Sequence, residues 1–318
     1  MNRVLLHVRS LWPRYPWWPT AAFWLLALFW AAQGKLRWDH IAVALLATAI
    51  AYGSVRSKRL FLAVLPIGLV GVLYDSMRAI KNVGLSKDTV HVCDLRALEM
   101  RWFGMDVNGV RGTVHDYLQL HATPFFDRYC AIPYGTFIAV VIAYTVYLYR
   151  RDYPGALRFT WAFLALNVAG FVTYHVYPAA PPWYFHRYGC VVDLATHASE
   201  GPNLARVDAW LGTPYFAGVY GRSSDIFGAV PSLHVAYPLL MVIEGFRRHG
   251  YLGKFLLVWF YLSMCFAAVY LDHHWVFDVV LGSFYTVTIA VLMRKVSSSQ
   301  FGFEMPALPV SSAHMGSE

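Results

Sequence analysis

Two short stretches of this chain place ionisable side chains where apolar runs begin or end: Phe227 to Pro238, FGAVPSLHVAYP, and Tyr270 to Gly282, YLDHHWVFDVVLG. His274 and Asp278 are four residues apart. On a helix that spacing puts both on one face with about 6 Å of axial rise between them, near enough for the carboxylate to hold an imidazole nitrogen. An imidazole held that way has its tautomer fixed and its other nitrogen free to attack phosphorus. His234 follows Pro231-Ser232, which reads as a helix start; with Ser232 as the cap, the backbone N–H groups beside His234 offer an anion site. His234 then suits the general acid that protonates a leaving alkoxide and, as conjugate base, activates an acceptor hydroxyl. Two histidines, one carboxylate and an anion cradle point to phosphoryl transfer. The bland alternative is a snorkelling histidine with a capping aspartate, but ionisable groups at membrane depth are costly and by default functional.

His273 points elsewhere on a helix and reads as a spectator or a substrate contact. A zinc set of His234, His273, His274 and Asp278 is the weaker reading, because neighbouring histidines diverge on a helix and no fourth ligand has motif spacing. No metal and no other cofactor is expected. Further candidate substrate contacts are Asp75 and Arg78 in YDSMR, Arg222 in GRSSD, Pro182 and Trp183 in PPWY, and Ser232. Asp75 and Arg78, three apart, also suit mutual neutralisation. The prolines and tryptophan around Trp183 equally suit a helix stop with an interfacial anchor.

These residues need a membrane scaffold. With 58% hydrophobic and 14% charged residues and a mean hydropathy of +0.44, the chain reads as an all-α polytopic membrane protein. Apolar runs fall at eight places, about 19–34, 39–55, 59–80, 131–149, 157–178, 230–246, 252–272 and 274–293. Long segments over about 81–130 and 179–229 interrupt them, and a disordered tail is expected over 297–318. Cys93 to Phe103 puts Leu95, Leu98 and Trp102 on one face, as in an interfacial helix. The formal charge of +8 comes from short cationic clusters between apolar runs, which excludes a nucleic-acid partner and reports topology. Arg56, Lys58 and Arg59, then Arg150, Arg151 and Arg158, then Arg247, Arg248 and Lys254, join the N-terminal arginines and Arg294-Lys295 as most of the cations. The positive-inside rule then makes both termini cytoplasmic and puts His234, His274 and Asp278 at the extracytoplasmic face. The N-terminus lacks a cleavage site and reads as an interfacial lead-in. Cys93, Cys130 and Cys190 fall in outer loops where a disulfide between two of them is allowed; Cys265 reads as packing.

In the order YPAAPPWYFHRYG, GPNLARVDAWLGTPYF, FGAVPSLH and HHWVFD, residues 174 to 282 resemble the PAP2 lipid phosphatase/phosphotransferase superfamily, and within it the inositol phosphorylceramide synthase branch. The resemblance implies a six-helix catalytic core over residues 59–296, preceded by an N-terminal segment with two added helices over 1–58. It places the acid/base histidine on His234, the nucleophile on His274 and the orienting carboxylate on Asp278. Phosphatases of the superfamily carry an arginine six residues before the nucleophile, where Ala268 stands here. The expected activity is therefore headgroup transfer, such as inositol phosphate, from a glycerophospholipid donor to a lipid or polyol hydroxyl such as that of ceramide, through phosphohistidine. The alternative is a lipid-phosphate phosphatase using water at the same site. A transporter reading predicts symmetry between two halves, and no repeat is present.

Overall fold

The computed structural model describes residues 3–81, 83–196, 203–221, 223 and 225–295. Arg222 and the tail over 297–318 lie outside the described residues. In chain order the elements are α1 (Arg3–Leu11), α2 (Ala21–Ala32), α3 (Trp38–Gly53), α4 (Val55–Ile80), α5 (Cys93–Phe103), the hairpin β1 (Met105–Val107) and β2 (Val110–Gly112), and α6 (Val114–Leu120). There follow α7 (Pro124–Arg151), α8 (Tyr153–Val176), α9 (Pro182–Tyr188), α10 (Ala205–Leu211), α11 (Tyr215–Tyr220), α12 (Leu233–Gly245), α13 (Tyr251–Tyr270) and α14 (Val276–Lys295).

Among the described residues, five helices, α4, α7, α8, α13 and α14, are long and apolar enough to cross a bilayer, and α2, α3 and α12 are shorter apolar helices at the other three expected places. At about 1.5 Å per residue, the 13 residues of α12 cover only part of a hydrocarbon core. Val230 to Ser232, at the start of that run, are not helical, and Gly228 just before them bridges to Ala179. His234 consequently sits below the rim of the bundle, in the first turn of α12.

The core is built where apolar faces of α7, α8, α12 and α14 meet, around Phe159, Leu166, Leu240 and Ala290. Small residues allow the closest approach: a side chain on Gly282 of α14 would collide with the backbone of Ser232. At the end of the bundle away from the histidines, buried Glu244 of α12 accepts Arg158 at 2.8 Å and also pairs Arg248 and Arg294, locking α8, α12 and α14. A buried carboxylate paired with several guanidiniums avoids the penalty of an unpaired charge.

The described residues of both long segments fold over the histidine end as a cap of short helices and a hairpin. The cap is stapled by Cys93–Cys190. Cys130, expected in a loop, is instead buried and unpaired inside α7; the long apolar helix simply begins earlier, at Pro124 behind its Thr123 cap. Helix α5 buries Leu95 and Glu99, while Trp102 is 70% exposed. The expected Leu95, Leu98 and Trp102 face is therefore corrected: a carboxylate with work to do faces the core. Since Cys93–Cys190 closes a separation of 97 residues, replacing both by serine is expected to destabilise the cap by about 4 kcal/mol, read as a lower melting temperature in detergent.

Candidate active site

The turn between α13 and α14 carries the chemistry. His273 and His274 both donate their backbone N–H to the carbonyl of Ala268, at 3.1 and 3.0 Å. They therefore lie in a tight turn before α14 begins, and not on the helix that their spacing suggests. Ala268 is itself fully buried, leaving no room for the arginine of the phosphatase pattern.

His274 Nδ1 lies 2.9 Å from the carbonyl of Ala229, and its Nε2 lies 3.1 Å from Nδ1 of His234. A carbonyl only accepts, so Nδ1 of His274 carries its proton and a neutral ring leaves Nε2 as the acceptor. His234 Nδ1 must then be the donor. Burial pushes the His274 pKa down to about 4 against the opposing hydrogen bond from Ala229, so the ring is neutral at neutral pH. Tyr134 stacks on His234 with ring centres 4.9 Å apart, fixing the second imidazole.

Asp278 is 3.6 Å from His274 Nδ1, beyond hydrogen-bond reach, and its Oδ2 instead accepts the backbone N–H of Trp275 at 2.9 Å. The expectation of a direct carboxylate–imidazole hydrogen bond is corrected in this geometry: Ala229 orients the ring, and Asp278 lies behind it, closing the first turn of α14. Ser232 caps α12 through Val235, at 3.4 Å, and its own N–H donates to the Asp278 carbonyl at 3.1 Å, so the two histidine elements are bonded to each other.

The histidines open onto a cavity of about 440 Å³ whose walls include Trp183, Tyr220, His234, His273 and His274. No lysine or arginine lines it among the described residues. Pro182 starts α9 beside Trp183 but is not a wall residue. Asp75 and Arg78 stand elsewhere: Asp75 is bonded by Arg37 at 2.9 Å, His40 at 3.1 Å and Arg78 at 3.2 Å. That cluster ties the N-terminal pair α2–α3 to α4, which explains why the two residues attract each other in sequence without reaching the histidines.

His273 does not diverge. One nitrogen from each of His234, His273 and His274 falls within a group spanning 4.8 Å, so the helix argument against a shared ligand does not apply in this turn. The three nitrogens are chemically suited to a borderline-soft divalent cation as well as to an anionic phosphoryl group.

Sequence reasoning missed the supports behind the turn. Glu99, fully buried, accepts Val276 and Phe277 N–H at 3.0 and 3.2 Å. With Asp278 on Trp275, two carboxylates thus satisfy the opening donors of α14. Behind them Asp272, with a left-handed φ of 63°, meets His186 at 2.5 Å and His115 at 3.3 Å, and His186 also reaches Asp116 at 2.9 Å. Burial pushes the His186 pKa down, but Asp272 and Asp116 outweigh it and hold the ring above its ordinary value. The available signal was Glu99, a carboxylate four residues after Leu95 and so on the apolar face of an amphipathic helix. Substituting Glu99 by Ala is expected to cost about 2 kcal/mol of stability by orphaning two buried donors, with Glu99→Gln recovering part of it in thermal unfolding.

A helical membrane bundle with two imidazoles in contact on the wall of a large apolar cavity defines an enzyme that acts on membrane-soluble molecules. The chain belongs to the PAP2 superfamily, whose family model matches residues 110–292, more than half of its length. It is 33% identical over 254 residues to the phosphoinositol dihydroceramide synthase of Bacteroides thetaiotaomicron, covering 78% of this chain and 81% of that protein. It is 28% identical over 270 residues to the catalytic subunit of inositol phosphorylceramide synthase from Schizosaccharomyces pombe, covering 83% of this chain and 60% of that one. With the inositol phosphorylceramide synthase of Candida albicans it shares 30% identity over 252 residues, 77% of this chain and 50% of the relative. These fungal proteins extend well beyond the matched region. No solved structure matches the chain significantly.

Proposed function

We propose that this protein is a membrane lipid phosphotransferase that moves an inositol-phosphate headgroup from a glycerophospholipid to the hydroxyl of a ceramide-like lipid. The observation that carries the reading is the 3.1 Å contact between His234 Nδ1 and His274 Nε2 at the wall of the apolar cavity. Names of the bacterial and fungal relatives supply the inositol and ceramide chemistry.

In the first half-reaction His274 Nε2 attacks phosphorus, the bond to the diacylglycerol oxygen breaks, and the departing alkoxide takes a proton from His234. The substrate's negative charge favours the imidazolium form of His234 that this step needs. In the second half-reaction the acceptor oxygen attacks phosphorus, its proton passes to His234, and the N–P bond to His274 breaks. The cationic clusters at the opposite end of the bundle support cytoplasmic termini and an active site on the extracytoplasmic face.

The test is to incubate purified protein with labelled phosphatidylinositol, with and without ceramide, in the presence and absence of a metal chelator. An inositol-phosphoryl lipid formed only with ceramide, in chelator too, is the expected product. Water-soluble inositol phosphate without acceptor dependence would assign the site to hydrolysis, and loss of turnover in chelator would assign the three histidines to a metal.

A further inference from the structure

A second cavity of about 320 Å³ lies against the outer ends of α4 and α8. Met77, Phe171, Tyr174 and Asp225 line both this space and the catalytic cavity, so the partition between them is built of single side chains. Several of its apolar walls belong to the lipid-facing surface: Leu73, Ile80, Val172 and Val176 are 38%, 49%, 57% and 72% exposed. Such exposed apolar walls suit an acyl or sphingoid chain. Its walls also carry the polar groups Lys81, His175 and Asp225. Asp225 Oδ1 accepts the Phe227 N–H at 2.9 Å, which fixes the carboxyl at the shared wall. Burial raises its pKa to about 6, opposed by the backbone bond and by Lys81 and His175. One carboxylate beside these basic groups leaves little net demand for a charged headgroup. It offers an acceptor to hydroxyl and amide donors.

We propose that this second cavity seats the acceptor lipid, a neutral long-chain molecule bearing hydroxyl or amide donors, with its polar end at Asp225 beside the catalytic cavity. The inference rests on the transferase reading, because only a reaction with two lipid substrates needs two apolar seats sharing a wall. The donor then occupies the first cavity along Ile67, Val70 and Gly71.

Paired obstructions test it by steady-state transfer kinetics with phosphatidylinositol and ceramide in mixed micelles. Val172→Trp fills the second cavity from an exposed position that tolerates bulk, and Gly71→Leu fills the first, where an added Cβ meets nothing within 4 Å. Val172→Trp should raise the acceptor KM about tenfold with the donor KM within about twofold, and Gly71→Leu should do the reverse. In the wild type, excess acceptor should not compete with donor. Equal effects of Val172→Trp on both substrates, no effect on either, or competitive inhibition of donor by acceptor would overturn the second seat while leaving the transferase intact. No acceptor-dependent product from the wild type would overturn the transferase reading, and this inference with it.

Discussion

Replacing His274 by alanine is expected to abolish headgroup transfer, lowering kcat/KM by about 10⁴-fold or more. The ring is 3% exposed, and its two nitrogens have separate work: Nδ1 is committed to Ala229 at 2.9 Å and Nε2 faces His234 at 3.1 Å. Nothing else in the turn replaces it by rotation, since His273 is tied through its own backbone to Ala268 and packs against Tyr134 and Tyr220. The same burial sets a pH dependence. Because the His274 pKa is pushed down to about 4, the nucleophile stays unprotonated well below the ordinary histidine range. The acid limb attributable to this ring in kcat/KM against pH should therefore fall nearer 4 than 6.5. The stability it contributes has the matching sign: full above the unfolded value near 6.5, and lost as pH falls towards 4. Activity profiles and thermal unfolding over that window check both.

His234→Ala is the second large effect, expected to lower transfer by roughly 10² to 10⁴-fold while leaving donor binding largely in place. His234 reaches the reacting centre through Nδ1, while Tyr134 stacks on its ring and Phe137 packs against it at a tilt, both with centres at 4.9 Å. Removing it takes away the proton that the diacylglycerol alkoxide needs, so donors with better leaving groups should suffer less. An activated phosphodiester such as a nitrophenyl ester discriminates: its cleavage should be much less sensitive to His234→Ala than that of phosphatidylinositol. A variant equally impaired on both would mean that His234 does something other than protonate the leaving oxygen.

Much of this site was legible because membrane depth makes ionisable residues conspicuous. His234, His274 and Asp278 each stand in or beside an apolar run, and the structure brings their side chains together. Periodicity failed at the turn. The spacing from His274 to Asp278 fits a helix, but Asp272 adopts a left-handed backbone and both histidine N–H groups bind Ala268, so α14 starts only at Val276. This is why His273 joins the cluster and Ala229 orients His274. A backbone carbonyl brought in by tertiary folding has no sequence signature at all. Asp75 illustrates the opposite case: a plausible headgroup contact by type, its carboxylate is taken up by Arg37 and His40 from the preceding helical pair and by its neighbour Arg78. The network of Glu99, His115, Asp272 and His186 escaped notice because its members come from four separate elements. Only Glu99, acidic within an amphipathic helix, gave a local hint.

The most direct test of phosphohistidine-mediated transfer is to trap the intermediate. Wild-type protein is mixed with phosphatidylinositol without acceptor, quenched in base, where phosphohistidine survives, and digested for mass spectrometry. The account predicts an acid-labile inositol-phosphate adduct on the peptide containing His274, localised to that residue, formed with diacylglycerol release and discharged when ceramide is added. An adduct on His273 or His234, or full transfer by the His274→Ala variant, would contradict it.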